Sequence, residues 1–172
     1  MDERNRERCA PDQETVIREM KEEDCEAQAY VIYSSWHDTY PGMIDPEFLK
    51  RLTLERCIAS AHRNLGNCIV AQQDGKVVGT AVYGECRDED LENAGEVYAL
   101  YILKEYRHRG IGRKLIRACL ELLPQKTIAV KALSANRNAI GFYQSCGFET
   151  DCRMVRMILT ETEETRLLLR RE

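Results

Sequence analysis

Residues 107–114 are the part of the chain most plainly arranged for chemistry: Arg107-His108-Arg109-Gly110-Ile111-Gly112-Arg113-Lys114, four cations around two glycines. A strand-like apolar segment precedes them and a helix-forming segment follows. Glycines at such a turn let the backbone approach a bulky anion. The free amides at the positive end of the helix dipole then point at it. The pattern fits a phosphate-bearing ligand; the plainer reading is a tight turn with a solvated basic face. Two nucleotide signatures fail on spacing. A Walker A loop needs Gly-x-x-x-x-Gly-Lys-Ser/Thr, which no stretch supplies. A dinucleotide fingerprint needs a third glycine three residues after Gly112, where Leu115 stands.

The rest of the composition narrows the ligand. The formal net charge is −4, and an acidic whole with one short basic spot argues against a nucleic-acid surface and for a small anion. Residues 85–96 hold Glu85, Asp88, Glu89, Asp90, Glu92 and Glu96 against Arg87 alone. Such a run either draws a cationic substrate by its field or is a solvated hairpin end. The eight cysteines are scattered without a Cys-x-x-Cys pair, which suits reduced thiols. His37, His62 and His108 stand far apart, so no metal site is expected. No apolar run approaches the roughly 20 residues that span a bilayer. Residues 1–14 lack the apolar core of a secretory signal. The expectation is a cytoplasmic protein away from membranes, with a loose tail at 1–13 and one domain over 14–172.

The elements that must position the turn follow from periodicity. Residues 15–20 read as a strand. A helix then carries the apolar row Cys25, Ala29, Ile32 and Trp36, until Pro41-Gly42 breaks it. Asp45-Pro46 is an N-cap with proline at the first helical position, which predicts a second helix to about residue 61. Strands at 67–72 and 76–84 are joined by Asp74-Gly75, a hairpin signal. A third long strand covers 96–103. After the glycine turn a helix over 111–123 has a wide apolar face for a sheet. A strand at 127–133 and a helix at 136–146, closed by Gly147, come next. Strands at 148–159 and 166–169 flank a polar stretch at 160–165. The order is β-α-α-β-β-β-α-β-α-β-β, an α/β (mixed α+β) fold: a mixed sheet with helices on both faces and one right-handed crossover between parallel strands.

Two motifs in this order carry a resemblance. Arg107-x-x-Gly110-x-Gly112 resembles the Arg/Gln-x-x-Gly-x-Gly/Ala signature of the GNAT N-acetyltransferases. Asn136-x-x-Ala139-Ile140-x-Phe142-Tyr143-x-x-x-Gly147-Phe148 is similar to their second signature, and the element order matches from about residue 15 to 159. Residues 36–42, Trp-His-Asp-Thr-Tyr-Pro-Gly, look like members acting on polyamines or other small amines.

The resemblance implies a mostly antiparallel sheet of six or seven strands with one splayed parallel pair, and acetyl-CoA as co-substrate without a metal. It places the pyrophosphate on the turn from Arg107 through His108, Arg109, Gly110, Ile111 and Gly112 to Arg113. The pantetheine arm would pair with the main chain of Leu100, Tyr101 and Ile102, beside Asn136 and Ala139. Tyr143 would give a proton to the departing thiolate. An alkyl ammonium, with a pKa of about 10, must lose a proton before it attacks. Glu96 matches the strand glutamate that serves as base in histone-type relatives, with Glu85 as the alternative. Trp36 and Tyr40 lie where relatives build the acceptor pocket. The implied reaction is direct acetyl transfer to a primary amine in a ternary complex. A small-molecule or polyamine acceptor is expected, and a homodimer is admitted. The alternatives are acetylation of a protein N-terminus, as in ribosomal-protein-type relatives, and a catalytically silent CoA sensor.

Overall fold

The computed structural model describes residues 14–157 and 160–172, and the side chains of all of these except 154–157; the expected tail at 1–13 lies outside. The elements are β1 (Val16–Glu19), α1 (Cys25–Thr39), α2 (Pro46–Arg51), α3 (Leu54–Arg63), β2 (Cys68–Gln73), β3 (Lys76–Glu85), β4 (Gly95–Ile102), α4 (Ile111–Leu122), β5 (Thr127–Leu133), α5 (Arg137–Ser145), β6 (Glu149–Met157) and β7 (Thr162–Arg170). The strands form one sheet in the order β1-β2-β3-β4-β5-β7-β6. Every neighbouring pair is antiparallel except β4 and β5.

Strand alternation divides the core between the two faces. Ile69, Ala71, Val78, Ala81 and Val97 pack with Ile111, Leu115, Ile116 and Cys119 of α4 on one side. Cys68, Val70 and Val82 pack with Cys25, Ala29 and Val31 of α1 and with Cys57 and Ala61 of α3 on the other. The apolar rows read along these helices are buried in part: Cys25, Ala29, Ile111, Leu115 and Cys119 face the core, whereas Ile32 and Trp36 are half-buried beside a cavity and Leu122 is exposed.

Two expectations are corrected. The helix expected to run from Pro46 to about residue 61 is two helices. Leu52 is extended (φ −77°, ψ 95°), and the Thr53 hydroxyl caps α3 by accepting from the Arg56 amide at 3.4 Å. A threonine offering that bond competes with continuation of the helix. The break also serves packing: Leu49 joins Ile44 and Leu133, while Cys57 and Ala61 face the core under α1. The last strand is also longer than the expected 166–169. β7 begins at Thr162 and pairs with β5 from Leu133↔Glu164 to Thr127↔Arg170. Its polar first half lies along a charged cavity wall instead of the core. The residues of the expected 148–159 strand beyond 157 lie outside the described set until Thr160.

Among the described residues no helix is long and apolar enough to cross a membrane. The seven described cysteines are free thiols, and no cluster of His, Cys, Asp or Glu is placed to hold a metal ion.

Candidate active site

β4 and β5 pair only over Gly95↔Ile128, Glu96↔Ala129 and Val97↔Val130. β5 then stays with β7, and β4 stays with β3. The β3–β4 register shifts between Val82 and Tyr83, which leaves Tyr98 as the extra residue of a bulge. A bulge bends its strand and sharpens its twist. Past Val97 the two strands therefore part, and a cleft of about 390 Å³ opens between them. Leu100, Tyr101 and Ile102 line it from β4, as do Lys131 and Ala132 from β5. The Ile102 carbonyl is already engaged, accepting from Arg107 Nε at 2.9 Å and from the Ser35 hydroxyl at 3.3 Å.

The glycine turn closes one end of this cleft. His108 (φ 61°) and Gly110 (φ 79°) both adopt left-handed backbone, which turns the chain sharply into α4. The first helical bond runs from the Lys114 amide to the Gly110 carbonyl at 3.2 Å. The amides of Ile111, Gly112 and Arg113 thus precede it, at the positive end of the helix. Arg107 and His108 line the cleft. Arg113 is turned elsewhere, donating to the Ser145 carbonyl and hydroxyl at 3.1 Å each. The Arg109 guanidinium lies 5.5 Å from the Tyr106 ring centre. Gly112 has a packing role of its own: a Cβ there would sit 3.0 Å from the Phe142 ring. That glycine lets α4 and α5 touch.

α5 supplies the opposite wall. Asn136 caps it, its Oδ1 accepting from the Ala139 amide at 3.1 Å. Among the described residues its side-chain Nδ2 makes no hydrogen bond, and the residue lines the cleft. Tyr143 is held edge-on by Phe142 and Phe148, with ring centres at 5.2 and 5.9 Å. It lines the cleft too, and burial pushes its hydroxyl well above the usual tyrosine value. Ring packing and an available hydroxyl are both present in this one residue.

A second cavity, of about 420 Å³, meets the cleft along a shared wall of Tyr40, Tyr98, Ala99, Tyr101, Lys131 and Ala132. Trp36 forms its aromatic side, 4.8 Å from Tyr40 and 6.5 Å from Tyr101 between ring centres. The Tyr40 and Tyr101 hydroxyls meet at 3.2 Å. Burial raises both above the usual value, so both stay protonated at neutral pH.

Of the acidic run, read either as a draw for cations or as a solvated hairpin end, Asp88 and Asp90 are held in ion pairs. Arg166 gathers Asp88, Asp90 and Asp151, and Lys131 Nζ reaches Asp88 at 2.6 Å and Glu96 at 3.2 Å. Glu96, at the start of the expected 96–103 strand, is buried because the loop after β3 folds over it. The Arg87 amide donates to it at 3.2 Å. Glu85 is exposed, and neither it nor Glu96 lines the cleft or the second cavity. Its carbonyl accepts from the Tyr98 hydroxyl. Three charged residues that do line the cavity were not singled out from the sequence: Arg87, Lys131 and Glu164.

Residues 29–148 match the family model described as the acetyltransferase (GNAT) family. The chain belongs to that family. It is 34% identical over 135 residues to the N-acetyltransferase YuaI of Bacillus subtilis, covering 76% of this chain and 78% of that protein. It is 26% identical over 144 residues to the spermidine N(1)-acetyltransferase of Thermoplasma acidophilum, covering 78% and 88%. The crystal structure of the PaiA N-acetyltransferase from Thermoplasma acidophilum, in complex with coenzyme A, superposes with a TM-score of 0.71 at 20% identity over 89% of this chain and 98% of that one.

The GNAT fold brings Leu100, Tyr101, Ile102, Arg107, His108, Asn136, Ala139 and Tyr143 to one cleft, and Trp36 and Tyr40 to the adjoining cavity. It leaves the Arg113 side chain, Glu85 and Glu96 outside those walls. Glu164 lies in Thr162-Glu163-Glu164-Thr165-Arg166, a continuously polar stretch before an apolar run, with no alternation to mark it as a strand.

Proposed function

We propose that this GNAT protein transfers the acetyl group of acetyl-CoA to a primary amine of a small molecule, by direct attack in a ternary complex. The observation that carries this reading is the meeting of two cavities: the parted β4–β5 cleft, with the glycine turn at its end, opens onto an aromatic-walled chamber, and Tyr143 lines the cleft. The residues present fit the co-substrate. The α4 amides and Arg107 suit a pyrophosphate. The free β4 edge and the Asn136 amide nitrogen suit an extended amide-bearing arm, in the manner of an added strand. Tyr143 acts as donor to the departing thiolate. Glu96 acts through its partners, holding Lys131 and Arg87 at the chamber wall.

The chamber suits an alkylammonium guest. Trp36, Tyr40 and Tyr101 offer aromatic rings, and such rings attract a cation. Polyamines are the first acceptors to try, given the spermidine-acetylating relative. The protein should release free thiol from acetyl-CoA in the presence of polyamines, amino acids, aminoglycosides or peptides, tested as a panel. Saturable release with at least one small amine is expected. Acetyl-CoA binding without release on the whole panel would overturn the enzymatic reading in favour of a silent sensor. Release with peptides alone would move the acceptor to a protein N-terminus.

A further inference from the structure

We propose that Glu164 is the general base of this site, the carboxylate that takes the proton from the acceptor's ammonium. The assignment rests on the acetyl-transfer reading above and goes beyond it by naming a residue on the last strand.

Geometry selects it. Register sets Glu164 opposite Leu133 and Arg166 opposite Lys131, so these four side chains share one face of the β5–β7 pair. That face is the chamber wall, where Leu133, Lys131 and Glu164 all lie. Glu164 is only 9% exposed. Among the described residues no hydrogen bond or ion pair engages its carboxylate. The other candidate is the reverse case: Glu96 is bound by Lys131 at 3.2 Å and by the Arg87 amide at 3.2 Å, and it lines neither cavity. The Glu164 carboxylate lines the open chamber and has no protein partner there. An ammonium supplies one.

The surroundings tune the group for the task. The charged and titratable groups acting on it are Lys131 of β5, Glu96 of β4, Arg87 and Asp88 of the loop between β3 and β4, and Tyr40 beyond α1. Burial pushes the Glu164 carboxyl above its ordinary value. Glu96 and Asp88 push the same way, while Lys131 and Arg87 oppose them. A base is most useful when its pKa lies near the working pH, so an upward shift from about 4.3 is in the helpful direction.

The chemistry balances. Glu164 takes one proton from R–NH3+, freeing the nitrogen lone pair. That nitrogen bonds to the thioester carbonyl carbon, the carbon–sulfur bond breaks, and the thiolate takes the Tyr143 hydroxyl proton. The acylated nitrogen then loses its surplus proton, which restores Tyr143. The proton on Glu164 leaves to solvent, so one proton is released per turnover.

The test compares wild type, Glu164→Gln, Glu164→Asp and Glu96→Gln with acetyl-CoA and spermidine, or with the fastest panel amine if spermidine is inactive. At pH 7, Glu164→Gln should lower kcat/KM on the order of 10²- to 10⁴-fold. It should also abolish the acid limb of the pH–rate profile, and Glu164→Asp should restore part of both. Thermal melting gives a reading independent of turnover. A carboxyl raised in the folded state stabilises below its unfolded pKa and loses that contribution as pH rises through the folded pKa. Glu164→Gln should therefore raise the Tm at pH 7 and leave it little changed at pH 4. Wild-type turnover with an intact acid limb in Glu164→Gln would overturn the assignment while leaving acetyl transfer standing. Loss of the limb in Glu96→Gln alone would transfer the role to Glu96. If the wild type acetylates no amine, the transfer reading falls and the role of Glu164 falls with it.

Discussion

Replacing Arg166 with methionine should destabilise the protein by about 3 kcal/mol at pH 7, toward the low end of what breaking a buried ion pair costs. Arg166 is 2% exposed and donates to three aspartates. Nε reaches Asp151 Oδ2 at 2.8 Å. Nη1 reaches Asp88 Oδ2 and Asp90 Oδ1 at 3.0 Å each, and Nη2 reaches Asp90 Oδ2 at 2.8 Å. Methionine preserves much of the side-chain length but leaves three carboxylates without their shared cation. Asp88 retains Lys131 and Asp90 retains Arg153 at 2.5 Å, which keeps the loss at the lower end.

The pH dependence of that loss has a definite sign. Hydrogen bonds from Arg166 and then Arg153 hold the Asp90 carboxyl well below the usual carboxylate value. Burial pushes Asp88 upward, but bonds from Lys131 and Arg166 outweigh it and its carboxyl also lies low. Carboxyls depressed in the folded state stabilise above their unfolded pKa of about 3.9, and this is lost as pH falls through the folded value. The gap in Tm between wild type and Arg166→Met should be full at pH 7 and narrow below pH of about 4. Equal melting of the two proteins at pH 7 would show that the cage carries no net stability. The same cage pins the loop that carries Arg87, so the variant should also bind acceptor amines more weakly.

Tyr143→Phe should lower kcat on the order of 10²-fold while leaving acetyl-CoA affinity and the Tm nearly unchanged. Only a hydroxyl is lost, and the contacts of the ring with Phe142 and Phe148 are kept. Because burial holds that hydroxyl protonated at any working pH, it suits the proposed role of donor where negative charge develops on sulfur. Steady-state kinetics beside a calorimetric Kd separates the two roles of this residue. An unchanged kcat would reduce Tyr143 to core packing.

The cofactor half of the site was far more legible in the sequence than the acceptor half. A glycine turn is written by residues close in sequence, so Gly110 and Gly112 could be read from their spacing, while Asn136 came from the resemblance of its motif. Even there the reasons divide. Gly110 is needed for a left-handed turn, whereas Gly112 is needed because the Phe142 ring of another helix lies against it. The acceptor half is assembled from α1, the loop after β3, β5 and β7, which meet only in the folded sheet. Lys131 reads as an isolated charge in an apolar strand. Glu164 reads as part of a polar turn, because a strand facing a polar chamber loses the apolar alternation that identifies it. The acidic run at 85–92 left a lure for cations and a solvated hairpin end both open, and neither foresaw that Asp88 and Asp90 are neutralised by Lys131, Arg153 and Arg166, residues 43 to 78 positions away in sequence. The break at Thr53 was legible in principle, since a threonine before Leu54-Glu55-Arg56 is an N-cap signal.

Acetyl-CoA binding itself is the sharpest test of the proposed function, measured by calorimetric titration into the full chain. One saturable site per chain is predicted, with affinity falling as salt rises, because the proposed site sets Arg107 and the α4 amides against a multiply charged anion. Absence of saturable binding at low salt would contradict it.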